Sequence, residues 1–370
     1  MNLLKRMILP TFLILGLSGC QLATPFKASS VEPSSTPIPP VTVTPTWTLT
    51  PTITMVPPTS TPQIPVIEAT NAAQLHPVGE AALKSPARIW WSKDSRRIGV
   101  WTEGGLSVLD AESLASEATV ILEEPFVLLD FAPDPMLMAV TADQKEVQLR
   151  EVLSGKVVRS LTPDSQVMSA CFAPDGQTLA LSMADEIAVS LWDVQSGKLL
   201  RTVRGFETAA PVYQALFSPD GQYLVWLARG SVQLQDLSSE KLLPALSHED
   251  FVASLALDLK LPLLAASAGA TIGNDFVPVI YLWNPLTGQS IDRLPTGQNV
   301  ATGLAISPNG QVLASGAGNQ IVLWNLASRQ NLASFSAHTD RVNGLAFSPD
   351  GKTLASTSSD GTLRLWKIGS

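Results

Sequence analysis

The sequence predicts an all-β fold: seven copies of one four-stranded antiparallel unit, preceded by a signal peptide and a disordered Pro/Thr-rich stalk. Three observations predict it. A short phrase centred on Pro-Asp-Gly recurs at intervals of 40 to 49 residues. Runs of β-forming residues fill the intervals and are separated by turn residues. The first 65 residues share neither feature and differ in composition.

The N-terminus reads as an address. Lys5 and Arg6 precede an eleven-residue apolar stretch, 7–17, interrupted by Pro10 and Thr11. That stretch is shorter than the roughly 20 apolar residues a bilayer span needs. It suits a cleavable signal. Leu17-Ser18-Gly19-Cys20 follows and resembles the bacterial lipobox. The resemblance implies cleavage after residue 19 and a diacylglyceryl group on the Cys20 thiol. Residues 1–19 are then the signal peptide, and two or three acyl chains exceed the single chain that anchors only marginally. The expected location is the extracytoplasmic side of a membrane. Gln21, rather than Asp, follows the cysteine, which resembles lipoproteins passed to the outer membrane where two membranes exist.

Residues 20–65 are expected to form a linker. Of the 42 residues in 24–65, 11 are Pro and 11 are Thr, with one Lys and one Glu. Proline removes backbone donors and fixes φ, so neither helix nor sheet propagates. Such chains favour extended polyproline II and act as passive spacers.

The repeats occupy 66–370. Clear copies of the phrase are Cys171-Phe172-Ala173-Pro174-Asp175-Gly176, Phe217-Ser218-Pro219-Asp220-Gly221, Ile306-Ser307-Pro308-Asn309-Gly310 and Phe347-Ser348-Pro349-Asp350-Gly351. Weaker copies are Trp91-Ser92-Lys93-Asp94-Ser95 and Phe131-Ala132-Pro133-Asp134-Pro135, and a degenerate one is Leu257-Asp258-Leu259-Lys260-Leu261. A second phrase appears as Leu191-Trp192-Asp193, Leu282-Trp283-Asn284, Leu323-Trp324-Asn325 and Leu365-Trp366-Lys367. Period and phrases together resemble the WD-repeat β-propeller family. The resemblance implies a seven-bladed ring. Pro presets φ at the first turn position and Gly accepts positive φ, so each Pro-Asp-Gly joins strand a to strand b. The last unit ends after its third strand, and 66–75 is expected to supply the fourth, covering an open sheet edge.

The chemistry-bearing residues are few. The resemblance implies a polar tetrad in blade seven: His338, Ser356, Asp360 and Trp366. A Ser-His-Asp hydrolase would use the same residue types. The order and spacing match the family's structural brace, and no strained Gly-x-Ser-x-Gly elbow is present. The chain has three histidines, His76, His248 and His338, and two cysteines, Cys20 and Cys171. No metal or phosphate-loop motif occurs, and neither catalytic residues nor a cofactor are expected. A formal net charge of −8 argues against nucleic-acid binding, which needs a basic patch.

Surface loops remain. Two are long: 205–211, with Phe206 and Glu207, and 269–278, with Asn274, Asp275 and Phe276. Phe251 lies in a turn on the same expected face. Aromatics beside acids are candidate anchors for a partner. The sequence reading is therefore a non-enzymatic, lipid-anchored scaffold that binds a protein or peptide in the cell envelope. Two alternatives stay open: an envelope enzyme using the propeller channel, hydrolase or quinoprotein in type, and a sensor of carbohydrate or another small ligand.

Overall fold

A computed structural model describes residues 64–369, except 104, 123–125, 134–136, 185–187, 205–211, 213, 229–230, 248–251, 259–261, 273–274 and 298. Its 28 strands form seven four-stranded antiparallel sheets. The first strand, β1 (Leu75–Ala82), belongs to the last sheet. Blade one holds β2 (Ile89–Trp91), β3 (Arg97–Thr102), β4 (Gly105–Asp110) and β5 (Ser116–Val120). Blade two holds β6 (Val127–Phe131), β7 (Leu137–Thr141), β8 (Val147–Glu151) and β9 (Val157–Leu161). Blade three holds β10 (Val167–Phe172), β11 (Thr178–Met183), β12 (Val189–Asp193) and β13 (Leu199–Val203). Blade four holds β14 (Gln214–Phe217), β15 (Tyr223–Ala228), β16 (Ser231–Asp236) and β17 (Leu246–Ser247). Blade five holds β18 (Val252–Asp258), β19 (Leu263–Ile272), β20 (Asp275–Asn284) and β21 (Gln289–Pro295). Blade six holds β22 (Gly303–Ile306), β23 (Val312–Ala317), β24 (Gln320–Asn325) and β25 (Asn331–Ser336). Blade seven holds β26 (Val342–Phe347), β27 (Leu354–Ser358), β28 (Thr362–Ile368) and, as its outer strand, β1. The all-β, seven-bladed expectation holds, with the weak first and degenerate fifth copies both complete blades.

The first strands of neighbouring blades pack on one another and surround the ring axis. The second strands are the most deeply sealed between blades: every residue of β7, β23 and β27 is buried. The outer strands face solvent, and β5, β9 and β13 each bury only their last residue. One extra residue bulges the outer strand at the same place in six blades, at Val78, Glu117, Val158, Leu200, Ile291 and Leu332. Such bulges raise the local twist of an edge and hinder pairing with another chain.

The a–b turns show why the repeated phrase folds as it does. In blade seven the Ser348 hydroxyl donates to Asp350 Oδ1 at 2.6 Å and accepts from the Thr353 amide at 3.0 Å. The Lys352 amide donates to the same carboxylate at 3.1 Å. Gly351 completes the turn at φ +71°, where a side chain would be strained.

Two expected boundaries are corrected. The strand that completes blade seven is Leu75–Ala82, not 66–75, paired from Leu75↔Ile368 to Ala82↔Thr362. The segment ahead of it takes another path, because Ile67 is apolar and finds a socket between blades six and seven. The Ile67 amide donates to Gly351 O at 2.9 Å, Asn309 Nδ2 donates to Ile67 O at 3.1 Å, and the Ile67 side chain is fully buried. A 3-10 turn, Ala72–Gln74, then redirects the chain into β1. The second correction is in blade five. Residues 269–278 are not a loop: β19 and β20 run on as a hairpin, paired from Gly269↔Pro278 to Ile272↔Asp275.

Candidate functional site

Blade seven contains a closed polar chain. His338 precedes β26, Ser356 lies on β27, Asp360 sits in the b–c turn and Trp366 lies on β28. Asp360 Oδ2 stands 3.0 Å from His338 Nδ1. A carboxylate only accepts, so Nδ1 carries the proton and Nε2 is the acceptor. The Ser356 hydroxyl donates to Nε2 across 2.8 Å and accepts from Trp366 Nε1–H at 2.9 Å. Asp360 is held in turn by the Thr339 amide at 3.0 Å, the Thr362 amide at 3.0 Å and the Thr362 hydroxyl at 2.7 Å. Thr362, absent from the expected tetrad, is a further member of the network. Its position directly after Asp360-Gly361 is the signal that could have found it.

The electrostatics follow from burial. Desolvation lowers the pKa of His338, and the opposing pull of Asp360 does not restore it. Burial raises the Asp360 carboxyl, but the hydrogen bonds from Thr362, Thr339 and His338 outweigh it and hold the group at about 2. The resting state is thus a neutral imidazole on a carboxylate. Ser356 is fully buried, with its oxygen between an indole and an imidazole. That position suits a brace between strands and gives a substrate no approach to the hydroxyl.

The brace is graded around the ring. Trp324 Nε1 donates to Ser315 at 3.0 Å in blade six, whereas in blade three Leu181 takes the serine position and Trp192 Nε1 turns to Ser190 of its own strand at 2.8 Å. Blade five places Ala266 where Ser356 stands, judged by the pairs Leu264↔Trp283 and Leu354↔Trp366. Blades two and four replace the tryptophan by Arg150 and Gln235, which satisfy backbone carbonyls of their own c–d turns.

A second set of polar groups rings the axis. Side chains on one first strand cap backbone groups on the next. The Phe172 amide donates to Asp130 Oδ2 at 2.8 Å, the Ala215 amide to Ser169 at 3.2 Å and the Leu304 amide to Ser254 at 3.1 Å. Arg88 Nη1 donates to Leu129 O, and Asn343 Nδ2 to Pro86 O at 3.3 Å. Withdrawal from water pushes the Asp130 carboxyl up to about 6, against the Phe172 amide and the Arg88 charge, which lower it. Cys171 is buried nearby and its thiol donates to Phe172 O at 3.4 Å. Among the described residues, no group of three or more His, Cys, Asp or Glu side chains is placed to hold a metal ion.

The expected partner residues fall mostly elsewhere. Cys20, Phe206, Glu207, Phe251 and Asn274 lie outside the described residues. The backbone of Asp275 and Phe276 opens strand β20. Asp275 and Phe276 stand at the b–c end of their blade. The opposite face, formed by a–b and c–d turns, carries an open groove of about 380 Å³ between blades three and four. Leu200 on its wall is 56 % exposed. Sequence reasoning missed this groove. The visible signal was Ala173, which stands where three clear copies of the turn phrase have serine.

Family models match parts of the chain. "WD domain, G-beta repeat" matches residues 288–325 and 329–367. "Anaphase-promoting complex subunit 4 WD40 domain" matches 129–212. Human WD repeat and SOCS box-containing protein 1 is 28 % identical over 96 residues, 25 % of this chain and 22 % of the relative. Cell division cycle 20.1, cofactor of APC complex, from Arabidopsis thaliana is 31 % identical over 150 residues, 40 % of this chain and 31 % of the relative. The chain thus spans about a fifth to just under a third of the length of these relatives. Repeat matches and seven blades together support a WD-repeat propeller.

Proposed function

We propose that this WD-repeat propeller is a non-enzymatic scaffold, anchored by lipid at Cys20 on the extracytoplasmic side of a membrane, that binds a protein or peptide of the cell envelope. The observation that carries the binding reading is the surface of blades two and three. Val157, Val158, Leu199 and Leu200 are all exposed there, on sheet edges whose outward positions elsewhere are mostly polar, and Leu153 is exposed in the turn that leads to one of them. Clustered exposed apolar residues mark interaction sites. The sealed Ser356–His338 pair supports a structural rather than a hydrolytic part for the tetrad. The relatives' names agree in kind: one is a cofactor of a complex, and the other carries a SOCS box beside its repeats.

The address rests on Leu17-Ser18-Gly19-Cys20 and the apolar stretch before it. No helix among the described residues is long and apolar enough to cross a membrane. Mass spectrometry of the N-terminal peptide tests the anchor, with a diacylglyceryl group on Cys20 expected and loss of membrane fractionation in Cys20→Ser. Affinity capture from envelope extract with the intact chain tests the scaffold. A discrete partner supports it, and recovery of none overturns it.

A further inference from the structure

The ring repeats one groove between successive blades, and two copies of it differ in a telling way. Between blades six and seven the wall is made by Pro308, Asn309, Leu323, Leu332, Phe347 and Gly351. The chain's own residues 64–72 fill it. Ile67 is fully buried in one apolar cluster with Leu323 and Phe347, and Leu332 packs against that cluster. The Ile67 amide and carbonyl are held by Gly351 O and Asn309 Nδ2.

Between blades three and four the matching positions are Pro174, Asp175, Leu191, Leu200, Phe217 and Gly221, and all six line the open groove. The match is a matter of register. Leu200 and Leu332 are the bulged residues of their outer strands, and Leu191 and Leu323 precede the paired tryptophans. Gly221 and Gly351 share φ +71°, so the turn that bonds the Ile67 amide has the same form in both places. Leu332 is half-buried where residues 64–72 cover it, and Leu200 is exposed.

One substitution changes the chemistry. Asn309 donates to a main-chain carbonyl, whereas its counterpart Asp175 is a carboxylate and only accepts. Its own turn satisfies it less: Asp175 Oδ1 takes the Gln177 amide at 2.8 Å, and Ala173 lacks the hydroxyl with which Ser307 holds Asn309 at 2.7 Å. Asp220 adds a second carboxylate to the lining. Neither forms an ion pair among the described residues, and the one cation on the wall, Arg201, is bound to Glu240 at 2.6 Å. The groove has the shape for an apolar side chain on an extended backbone and the charge for a base beside it.

We propose that the groove between blades three and four binds an extended segment of a partner protein. Its branched apolar side chain takes the place that Ile67 fills between blades six and seven, and an adjacent lysine or arginine meets Asp175 and Asp220. This rests on the peptide-binding reading above and assigns it a site and a ligand class.

Two fluorescein-labelled peptides test it by anisotropy on the full chain: one copies residues 64–72, the other carries Glu68→Lys. The lysine peptide is expected to bind saturably, about ten-fold tighter than the native copy, because a charge-assisted contact replaces a like-charge one. Leu200→Glu is expected to weaken it by about ten-fold or more, since a buried apolar contact becomes an uncompensated charge. Asp175→Asn is expected to remove most of the preference for lysine. Leu200 is exposed, so an unchanged melt of Leu200→Glu shows the variant folded. Absence of saturable binding, or binding indifferent to Leu200→Glu, overturns the proposal. So does a concentration-dependent dimer that Leu200→Glu abolishes, which would make the occupant a second copy of this chain. Envelope capture separates the two levels: a partner held equally by wild type and Leu200→Glu sinks the groove and leaves the scaffold standing.

Discussion

Glu240 reaches Arg201 of the preceding blade at 2.6 Å from a backbone held at φ +59°. The equivalent c–d turn position is glycine in blades two, three and five, at Gly155, Gly197 and Gly288, all at positive φ. There the missing side chain lets the turn sit against the preceding outer strand: a Cβ on Gly197 would lie 2.5 Å from Arg159 Cδ. Blade four instead uses the side chain itself as the contact.

Glu240→Gly tests that trade. Left-handed backbone costs a non-glycine residue about 1–2 kcal/mol, while an exposed ion pair contributes about 0–1 kcal/mol. The variant is expected to gain roughly 0.5 kcal/mol in urea unfolding, with the entropic cost of glycine absorbing the rest. A loss of more than about 1 kcal/mol would mean that the Arg201 contact carries more than surface pairs do.

Ser356→Ala leaves the Trp366 and His338 nitrogens without their shared partner. The expected cost is about 2 kcal/mol, read from thermal or denaturant unfolding. A hydroxyl that served catalysis alone would leave stability unchanged on removal.

The brace also sets a pH dependence. His338 is depressed below 6.5 when folded, so the unfolded chain binds the proton first. Stability from this group is full above pH 6.5 and falls as pH drops below it. His338→Gln should flatten that slope. Asp360 acts in the same direction further down, between its ordinary 3.8 and about 2. Unfolding midpoints of wild type and His338→Gln across these windows check both.

Asp130 predicts the opposite sign. Its folded pKa of about 6 lies above the ordinary 3.8, so the folded state holds the proton longer. Stability from this group is lost as pH rises through that interval. Asp130→Asn keeps an acceptor for the Phe172 amide and is expected to gain on the order of 1 kcal/mol at neutral pH. A destabilised variant would show that the Arg88 charge needs this carboxylate.

Ile67→Ala empties the socket between blades six and seven and is expected to cost about 2–4 kcal/mol. Removal of 64–74 should lower Tm with blade seven still complete. Removal through residue 82 should open the ring.

Much of this fold was legible because its information is local. Ser348-Pro349-Asp350-Gly351 closes on its own hydrogen bonds, so its clear copies mark four blades, and the weaker copies at the same period complete the count. The tetrad was legible for a similar reason, since His338, Ser356 and Asp360 lie within one repeat. The closing strand was displaced because Val66-Ile67 has β-forming residues, and its actual burial depends on a socket made by residues more than 240 positions away. The 269–278 segment read as a loop because Gly269 and Pro278 are turn residues, although cross-strand pairing absorbed them. The groove at Leu200 was hidden because it arises from two neighbouring blades and from what a third pair already contains.

The N-terminal clasp orders events during folding. Strand β1 precedes every blade in the sequence, yet its partner is the last of the described strands, with Glu80 and Arg364 meeting across 284 positions at 2.9 Å. Six blades can form from contiguous sequence, and the seventh cannot. A chain lacking 64–82 therefore shows an unpaired edge on β28 and an uncovered socket at Gly351. Docking of β1 on β28 is the step that seals the circle, so any chaperone of this protein would find its last client surface there.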